Sequence, residues 1–282
     1  MISGKARLAG VMGWPVAHSL SPRLHGYWLK RYGIDGAYVP LAVRPDDLLA
    51  ALSVLPKLGF SGVNLTVPHK ETAIAGLDRI TSEARQLGAV NTVRVDEAGR
   101  LVGSNTDGFG FLENLRHAAP QWQPPSGPAV IIGAGGAARA VTAALISVGV
   151  PEIRLVNRTQ ARSEALACVF DGPIQVRAWA DRHDALDGAS ILVNTTTLGM
   201  TGQPDLDLNL EALPPTAIVN DIVYAPLKTT LLLTARARGN PIVDGLGMLL
   251  HQARPGFEAW FGVAPQVTEE LRDHLLEGLK GS

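Results

Sequence analysis

Two serine hydroxyls lie at the start of a predicted helix. The segment His18-Ser19-Leu20-Ser21-Pro22 follows a strand-like apolar run and precedes a stretch with helical periodicity. Ser19 and Ser21 could present hydroxyl and backbone N–H groups to an anion, because a helix N-terminus carries unpaired donors and partial positive charge. Ser21 before Pro22 is equally typical of a plain N-cap. The two roles are compatible, and both stay open at this point.

Amide, hydroxyl and ammonium groups follow another predicted strand. The segment Asn64-Leu65-Thr66-Val67-Pro68-His69-Lys70 ends it, and strand alternation places Asn64 and Thr66 on one face. The chain has only six lysines, and Lys70 comes directly after a strand–proline turn. A surface lysine is the competing interpretation of Lys70.

A predicted hairpin has polar residues on both sides. Asn91-Thr92 precedes it and Asn105-Thr106-Asp107-Gly108 follows it. Each of these residues could merely bond its own backbone in a turn. Taken with Lys70, however, the set suits acid–base chemistry, since a lysine and an aspartate near one hydroxyl can move its proton. Serine, threonine and asparagine side chains could hold a polyhydroxy acid.

A glycine-rich turn predicts a dinucleotide site. The apolar run 129–132 leads directly into a G-x-G-x-x-A turn that opens a helix. Gly133 allows the tight turn, Gly135 lets the backbone approach a pyrophosphate, and Ala138 is small enough for close packing of helix on strand. An ordinary tight strand–helix turn is the alternative.

The residues after the next strand favour NADP over NAD. The strand Ile153–Val156 runs into Asn157-Arg158-Thr159, with Arg162 one turn later. NAD sites usually carry a carboxylate there, whereas here two guanidinium groups could bind a 2′-phosphate. The alternative is that Arg154, Arg158 and Arg162 are solvated surface residues.

These residues lie on alternating strands and helices. Ser21 opens a helix that Gly33 closes, and residues 45–55 and a short segment from Pro68 are also predicted to be helical. The proline-rich segment 118–128 reads as a connection, and the chain is helical again from about Gly245. Alternation on both sides of the connection predicts an α/β protein with two α/β units. The other strands are predicted at 8–12, 38–43, 62–66, 90–95, 100–102, 190–194 and 217–221.

Composition excludes several classes of protein. The chain has 282 residues, 46% hydrophobic and 18% charged, with a net charge of −1. This balance gives no overall positive field to attract nucleic acid or an anionic membrane. The sequence also has no continuous apolar run of about 20 residues, which a membrane helix would need. With Cys168 as the single cysteine and no histidine pair at metal-ligand spacing, we expect no disulfide and no metal site. We expect a cytoplasmic protein.

Nine ordered motifs resemble the shikimate dehydrogenase family and cover nearly the whole chain. They are GWPVAHSLSPRLH (13–25), GVNLTVPHK (62–70), GAVNTV (88–93), GSNTDGFG (103–110), GAGGAARA (133–140), NRT (157–159), NTTTLGM (194–200), DIVYAPLKTTLL (221–232) and GLGMLLHQA (245–253). The resemblance implies a substrate domain from residues 1–106 plus 245–282, a Rossmann-like NADP domain from residues 107–244, and a cleft between them. It also implies reversible NADPH-dependent reduction of 3-dehydroshikimate to shikimate, on the route to chorismate and aromatic amino acids. A homodimer is compatible with the sequence.

The resemblance also implies roles for individual residues. Lys70 would be the acid–base residue with Asp107 as its partner, and Ser19 and Ser21 would hold the substrate carboxylate. Substrate hydroxyls would be bound by Thr66, Asn91, Asp107, Tyr224 and Gln252. The cofactor would be bound by Gly133, Ala134, Gly135, Gly136, Ala137, Asn157, Arg158, Thr159, Arg162, Ile222, Gly245 and Met248.

Four residues depart from the family pattern. Gly26 stands where asparagine is common, and Thr195 and Thr197 replace the usual alanine and serine. Ser82 stands where many members carry an acidic residue that contacts the cofactor. None of these changes removes a catalytic role. Two alternatives remain: a quinate/shikimate dehydrogenase that uses NAD, and an NADP-binding module without turnover.

Overall fold

The chain forms two compact units. A computed structural model describes residues 2–280. Unit 1 comprises the residues up to Thr106 together with those from Gln252, and unit 2 comprises Asp107–His251. The boundary between His251 and Gln252 falls inside a helix that runs from Gly245 to Phe261. Gly247, near the start of this helix, lies against Asn114 of unit 2. Gly245 and Met248 therefore fall in unit 2, although the sequence placed them in the first domain.

Unit 1 contains a mixed six-stranded sheet with the order β2-β1-β3-β5-β6-β4. Strand β1 pairs in parallel with β2 and β3, while β5 is antiparallel to both β3 and β6. This arrangement confirms the predicted strands at 8–12, 38–43 and 62–66 and the hairpin after Asn91. The strands are β1 (Arg7–Gly13), β2 (Gly36–Ala42), β3 (Phe60–Leu65), β4 (Arg79–Ile80), β5 (Thr92–Val95) and β6 (Leu101–Ser104).

Short helices surround this sheet. The α-helices that lie wholly in unit 1 are α1 (Ser21–Arg31), α2 (Leu48–Val54), α3 (Ser82–Leu87) and α9 (Glu269–Lys280). Single 3-10 turns lie at Pro45–Asp47, Pro56–Leu58 and Thr72–Gly76. Helix α8 (Gly245–Phe261) begins in unit 2 and ends in unit 1.

Two local predictions in unit 1 were wrong. Ser21 is not an N-cap: it is the first residue of α1, the capping position is Leu20, and no side chain caps this helix end. No helix begins at Pro68 either; a 3-10 turn follows at Thr72–Gly76. Proline is tolerated in the first turn of either kind of helix, so Pro68 alone could not distinguish a turn from an α-helix.

Unit 2 contains six parallel strands in the order β12-β11-β10-β7-β8-β9. Counted from β7, this is the order 3-2-1-4-5-6 of dinucleotide-binding α/β domains, which confirms the predicted Rossmann-like fold. Strands β9 and β12 were not predicted from the sequence: β9 alternates half-buried and exposed residues, and β12 has only two residues. The strands are β7 (Ala129–Ile132), β8 (Ile153–Val156), β9 (Ile174–Arg177), β10 (Ile191–Asn194), β11 (Ile218–Asp221) and β12 (Ile242–Val243).

Three helices of unit 2 connect its parallel strands, and a fourth precedes the first of these strands. Those wholly within the unit are α4 (Asp107–Ala118), α5 (Gly136–Ser147), α6 (Gln160–Ala167) and α7 (Thr230–Ala237). Short 3-10 turns lie at Pro124–Ser126, Trp179–Asp181 and Asp184–Leu186. Strands β7 and β10 are fully buried, as expected of a parallel sheet covered on both faces. None of the helices in residues 2–280 has the length and apolarity needed to cross a bilayer.

The core of unit 1 contains a buried histidine. His25 is fully buried, and its ring stacks on Tyr38 with centroids 4.0 Å apart. Trp28, Phe257 and Trp260 surround it. Neither ring nitrogen makes a hydrogen bond within the described part of the chain. Burial lowers the pKa of His25 to about 3, so the ring is neutral in the folded protein at neutral pH.

This buried histidine predicts a loss of stability in acid. Below about pH 6.5 the unfolded chain protonates His25 while the folded chain does not, so folding stability falls as the pH drops toward 3. The contribution is about 1.4 kcal/mol per pH unit. Between pH 7 and pH 5, the free energy of unfolding measured in urea should therefore fall by about 2 kcal/mol less for His25→Phe than for wild type.

His18→Gln is the matched control, because His18 is exposed in the folded protein. It should show the pH dependence of wild type. If His25→Phe loses as much stability as wild type over this pH range, His25 is not the group responsible.

Candidate functional site

Strand pairing brings the polar residues of unit 1 to one edge of its sheet. Strands β1 and β3 end at this edge, β5 begins there, and β6 ends there, because β5 is antiparallel to both of its neighbours. Thr66 follows β3 directly, Asn91 precedes β5, and Thr106 comes two residues after β6. The backbone N–H of Leu65 donates to the Asn91 carbonyl at 2.8 Å. Strand pairing therefore gathers these polar residues at one edge of the sheet.

Asn91 and Gln252, predicted to bind the same ligand, are in contact. The Asn91 amide nitrogen donates to Thr106 Oγ1 at 3.0 Å and to Gln252 Oε1 at 3.3 Å. The Thr106 hydroxyl donates to the Gln252 backbone carbonyl at 2.8 Å. These contacts join residues 161 positions apart in the chain. Asn91, Thr106 and Gln252 thus form a single hydrogen-bonded cluster.

Asn64 has a supporting position behind this cluster. Its side chain is buried, accepts a 2.6 Å hydrogen bond from the Tyr38 hydroxyl, and donates to the Asn91 carbonyl at 3.1 Å. It also donates to Thr92 Oγ1, which in turn donates to Asn91 Oδ1 at 2.9 Å. Because Asn91 Oδ1 receives this bond, the amide nitrogen of Asn91 must face Thr106 and Gln252.

Ser19 and Ser21 lie together at the start of α1. The backbone N–H of Ser21 donates to Ser19 Oγ at 3.3 Å. Ser21 is buried and hydrogen-bonds Tyr38, whose pKa burial raises well above its usual value. Since Tyr38 also bonds Asn64, Ser21 is linked through buried side chains to the cluster of Asn91. The hydroxyls and the helix start provide donors that suit an anion.

Lys70 lies beside the same cluster. Its backbone carbonyl accepts a hydrogen bond from the N–H of Val90 at 2.8 Å, next to Asn91. The side chain is half-buried. Gly13, at the end of β1, leaves the space that Thr66 uses, because a Cβ on Gly13 would stand 2.5 Å from Thr66 Cγ2. Asp107, its predicted partner, is buried as the first residue of α4 and belongs to unit 2.

The glycine-rich turn of unit 2 has the geometry of a phosphate-binding loop. Gly133 has φ +118°, and a Cβ there would stand 2.5 Å from Thr195 Oγ1. Gly135 and Gly136 are exposed, with no atom within 4 Å of a Cβ placed on either. Helix α5 begins at Gly136, so the N–H groups of its first turn, which have no partner within the helix, belong to this open turn. Ala134 and Ala137 lie in the same turn and are half-buried.

The arginine within β8 and the two that follow this strand have different environments. Arg158 and Arg162 are exposed, as is Thr159. The Asn157 side chain donates to the Thr159 carbonyl at 2.9 Å and so shapes the turn. Arg154 instead donates to Glu152 and to the Ala185 carbonyl, both at 2.9 Å. Arg154 therefore has a structural role, while Arg158 and Arg162 are accessible to an anionic group.

The ends of β11 and β12 bring further predicted residues together. Gly245 packs against Ile222, since a Cβ on Gly245 would stand only 2.1 Å from the Ile222 carbonyl oxygen. Tyr224 and Met248 are half-buried nearby in sequence, and burial raises the pKa of Tyr224.

A buried polar network at the ends of β10 and β11 was not predicted. Asn194 donates to Asp221 Oδ1 at 3.0 Å, and Thr229 donates to Asp221 Oδ2 at 2.7 Å. Thr195 donates from its hydroxyl to the Ile132 carbonyl at 2.7 Å, directly before the glycine-rich turn. The sequence feature that could have indicated this network is that Asn194 and Asp221, both polar, each end an apolar run. Thr197 is exposed, Ser82 begins α3 and Gly26 is exposed in α1.

No metal centre is evident in the region described. Within residues 2–280, no three histidine, cysteine, aspartate or glutamate side chains are arranged to hold a metal ion. Cys168 is a free, exposed thiol.

Comparison with family models matches both units. The model described as shikimate dehydrogenase substrate binding domain matches residues 11–93. The model described as shikimate / quinate 5-dehydrogenase matches residues 124–200. These ranges contain Lys70, the cluster residue Asn91, and the glycine-rich turn.

Full-length relatives carry the same description. A curated shikimate dehydrogenase (NADP(+)) of Paramagnetospirillum magneticum is 62% identical over 98% of this chain and 100% of its own length. A shikimate 5-dehydrogenase of Thermus thermophilus, solved with NADP(H) and shikimate, is 38% identical with a TM-score of 0.85, covering 98% of this chain and 99% of that one. A quinate dehydrogenase of Corynebacterium glutamicum, solved with NAD, is 32% identical with a TM-score of 0.90, covering 96% and 99%. The chain belongs to the shikimate dehydrogenase family.

Proposed function

We propose that this protein is an NADP-dependent oxidoreductase that reversibly reduces 3-dehydroshikimate to shikimate. The observation that carries this proposal is the placement of Lys70 beside the Asn91–Thr106–Gln252 cluster, in a chain 62% identical to a shikimate dehydrogenase (NADP(+)). A lysine at this position, together with side chains that can bind hydroxyls, suits reduction of a ketone in a polyhydroxy acid. The reaction would supply the route to chorismate and aromatic amino acids.

The residues of unit 1 would bind the substrate. Ser19 and Ser21 would receive its carboxylate at the start of α1. Thr66, Asn91 and Gln252 would bind the ring hydroxyls, together with Tyr224 and Asp107 of unit 2. A substrate hydroxyl could replace Gln252 Oε1 as acceptor of the long 3.3 Å bond from Asn91, because that bond is the weaker of the two donated by this amide. Unit 1 with the end of α8 is then the substrate domain.

Lys70 would donate the proton in the direction of reduction. As the carbonyl carbon accepts a hydride, its oxygen becomes an alkoxide, and the Lys70 ammonium donates a proton to it. In the reverse direction the neutral lysine would take the hydroxyl proton. Asp107 would orient the Lys70 ammonium and stabilise its charge.

The residues of unit 2 fit a phosphorylated dinucleotide. The open space at Gly135 and Gly136 at the start of α5 suits a pyrophosphate. No carboxylate follows β8, and exposed Arg158 and Arg162 with Asn157 and Thr159 suit a 2′-phosphate. Bound NADPH supplies the hydride. Gly133, Ala134 and Ala137 complete the phosphate loop, and Ile222, Gly245 and Met248 would contact the nicotinamide half.

Two further expectations are proposals that rest on the sequence. We place the enzyme in the cytoplasm, where a biosynthetic reductase would have access to NADPH. A homodimer is proposed as compatible with this role.

The reaction is tested by initial rates with two substrates and two cofactors. Shikimate with NADP⁺ should give the largest kcat/KM among the four pairings with quinate and NAD⁺. NADP⁺ should exceed NAD⁺ by about tenfold or more, because charge-assisted hydrogen bonds from arginine are worth about 1.5–3 kcal/mol. A preference for quinate with NAD⁺ would favour the activity of the Corynebacterium glutamicum relative. Cofactor binding without turnover of any substrate would indicate that the protein is an NADP-binding module and not an enzyme.

The role of Lys70 is tested by Lys70→Ala. We expect kcat to fall by roughly 10²–10⁴, as for loss of a general acid–base group, with a much smaller change in the Kd for shikimate. Lys57→Ala is the matched control, because Lys57 is an exposed lysine of the same unit, and its kcat should equal that of wild type. A near-normal kcat for Lys70→Ala would show that another group carries the proton.

The phosphate loop is tested by two glycine variants with opposite signatures. Gly133→Ala should lower thermal stability, because a Cβ would clash with Thr195 at a positive φ. Gly135→Ala has room for a Cβ and ordinary extended backbone angles, so stability should hold. Its Kd for NADP⁺ should nevertheless rise, since the methyl group occupies the place of the pyrophosphate. An unchanged Kd for NADP⁺ in Gly135→Ala would show that the cofactor does not bind at this turn.

A further inference from the structure

Within residues 2–280, the carboxylate at the end of β11 is buried and has no salt-bridge partner. Asp221 is 0% exposed. Its oxygens accept hydrogen bonds from the Asn194 side chain at 3.0 Å, from the Val223 N–H at 3.0 Å and from the Thr229 hydroxyl at 2.7 Å. All three donors are neutral. Burial raises the pKa of Asp221 above its usual value, and the three hydrogen bonds, which stabilise the ionised form, offset part of that rise.

The neighbouring carboxylate at this edge is compensated. Asp244 follows β12 directly, and Lys228 Nζ lies 3.1 Å from its Oδ2. Asp221 and Asp244 thus end adjacent strands but differ in charge balance. An ionised Asp221 places a negative charge in a low-dielectric position, where it acts on its surroundings more strongly than a solvated charge would.

The strand order indicates which half of the cofactor meets this charge. With the pyrophosphate at the end of β7 and the 2′-phosphate at the end of β8, as the proposed function has it, the adenosine half lies over β8. The nicotinamide half must then extend the other way, over β10 and β11, because the chain order reverses at β7. Ile222, which follows Asp221, lies at this edge.

We propose that the Asp221 carboxylate stabilises the oxidised cofactor relative to the reduced one. The nicotinamide ring carries a positive charge in NADP⁺ and none in NADPH, since transfer of a hydride from the cofactor to the substrate carbonyl carbon creates that charge. A fixed negative charge therefore favours NADP⁺. Asp221 itself exchanges neither a proton nor an electron. On the enzyme, this shifts the equilibrium toward reduced substrate and NADP⁺.

Asp221→Asn separates the charge from the hydrogen bonds. The asparagine oxygen can still accept from Asn194 and Val223, and its amide can donate to Thr229 Oγ1, because a hydroxyl is both donor and acceptor. Thr229 Oγ1 already accepts from the Leu232 N–H at 3.4 Å. The variant thus keeps the shape of the network and removes the negative charge.

The test measures the two cofactor affinities directly, without turnover. Kd for NADPH is measured by its fluorescence and Kd for NADP⁺ by calorimetry, on wild type and on Asp221→Asn. We expect the NADP⁺ Kd to rise about tenfold, as for loss of a charge interaction through protein, while the NADPH Kd changes less than about twofold. Asp205→Asn, an exposed carboxylate of unit 2, is the matched control and should change neither Kd.

Equal changes in both Kd values, or no change in either, would overturn the role assigned to Asp221. Asp221→Ser is the second variant if Asp221→Asn unfolds; it is also neutral and must show the same selective loss of NADP⁺ affinity. Wild-type protein that binds neither cofactor would overturn the proposed function, and the inference with it. If wild type binds both cofactors but the variants show no selective loss of NADP⁺ affinity, only the role of Asp221 is overturned and the proposed function is unaffected.

Discussion

The direction and register of strand pairing decide which strand ends meet at one edge of a sheet, and both units of this protein depend on that constraint. In unit 2 it brings the glycine-rich turn after β7, Arg158 after β8 and Asp221 at the end of β11 to one edge. In unit 1 the hairpin of β5 and β6 achieves the same result for Asn91 and Thr106. Residues that are far apart in the chain become neighbours because hydrogen-bond register leaves the strand ends no other position.

The same constraint explains why both edges carry buried polar networks. Backbone and side-chain polar groups at strand ends are removed from water, so each needs a partner. Asn64 and Thr92 supply partners in unit 1, and Asn194 and Thr229 supply them in unit 2. These side chains fix the orientation of the residues that would touch ligand. A satisfied network also makes that orientation resistant to rearrangement.

Charge is used sparingly and locally in this fold. The chain is nearly neutral overall, yet its candidate sites differ in their charges. Exposed Arg158 and Arg162 are accessible to an anion, while the hydrogen bonds that buried Asp221 accepts from Asn194, Val223 and Thr229 come from neutral donors. An exposed arginine loses little hydration until an anion arrives, whereas a buried carboxylate has its field in place beforehand. The two arrangements suit binding of a charged group and tuning of a charge that changes during reaction.

The sequence by itself determined the α/β class, the Rossmann-like turn at Gly133, the preference for NADP and the family, because these depend on short motifs and local periodicity. It also placed Lys70, Asn91 and Asp107 among the candidate site residues. It could not show that Ser21 lies inside α1 and bonds Tyr38, that Arg154 is structural, or that Asn91 meets Gln252. Nor could it reveal that Asp221 is buried and accepts hydrogen bonds from three neutral donors. Those features depend on strand order and on long-range packing, and the tertiary structure decided them because spacing along the chain reports only on neighbours within a few residues.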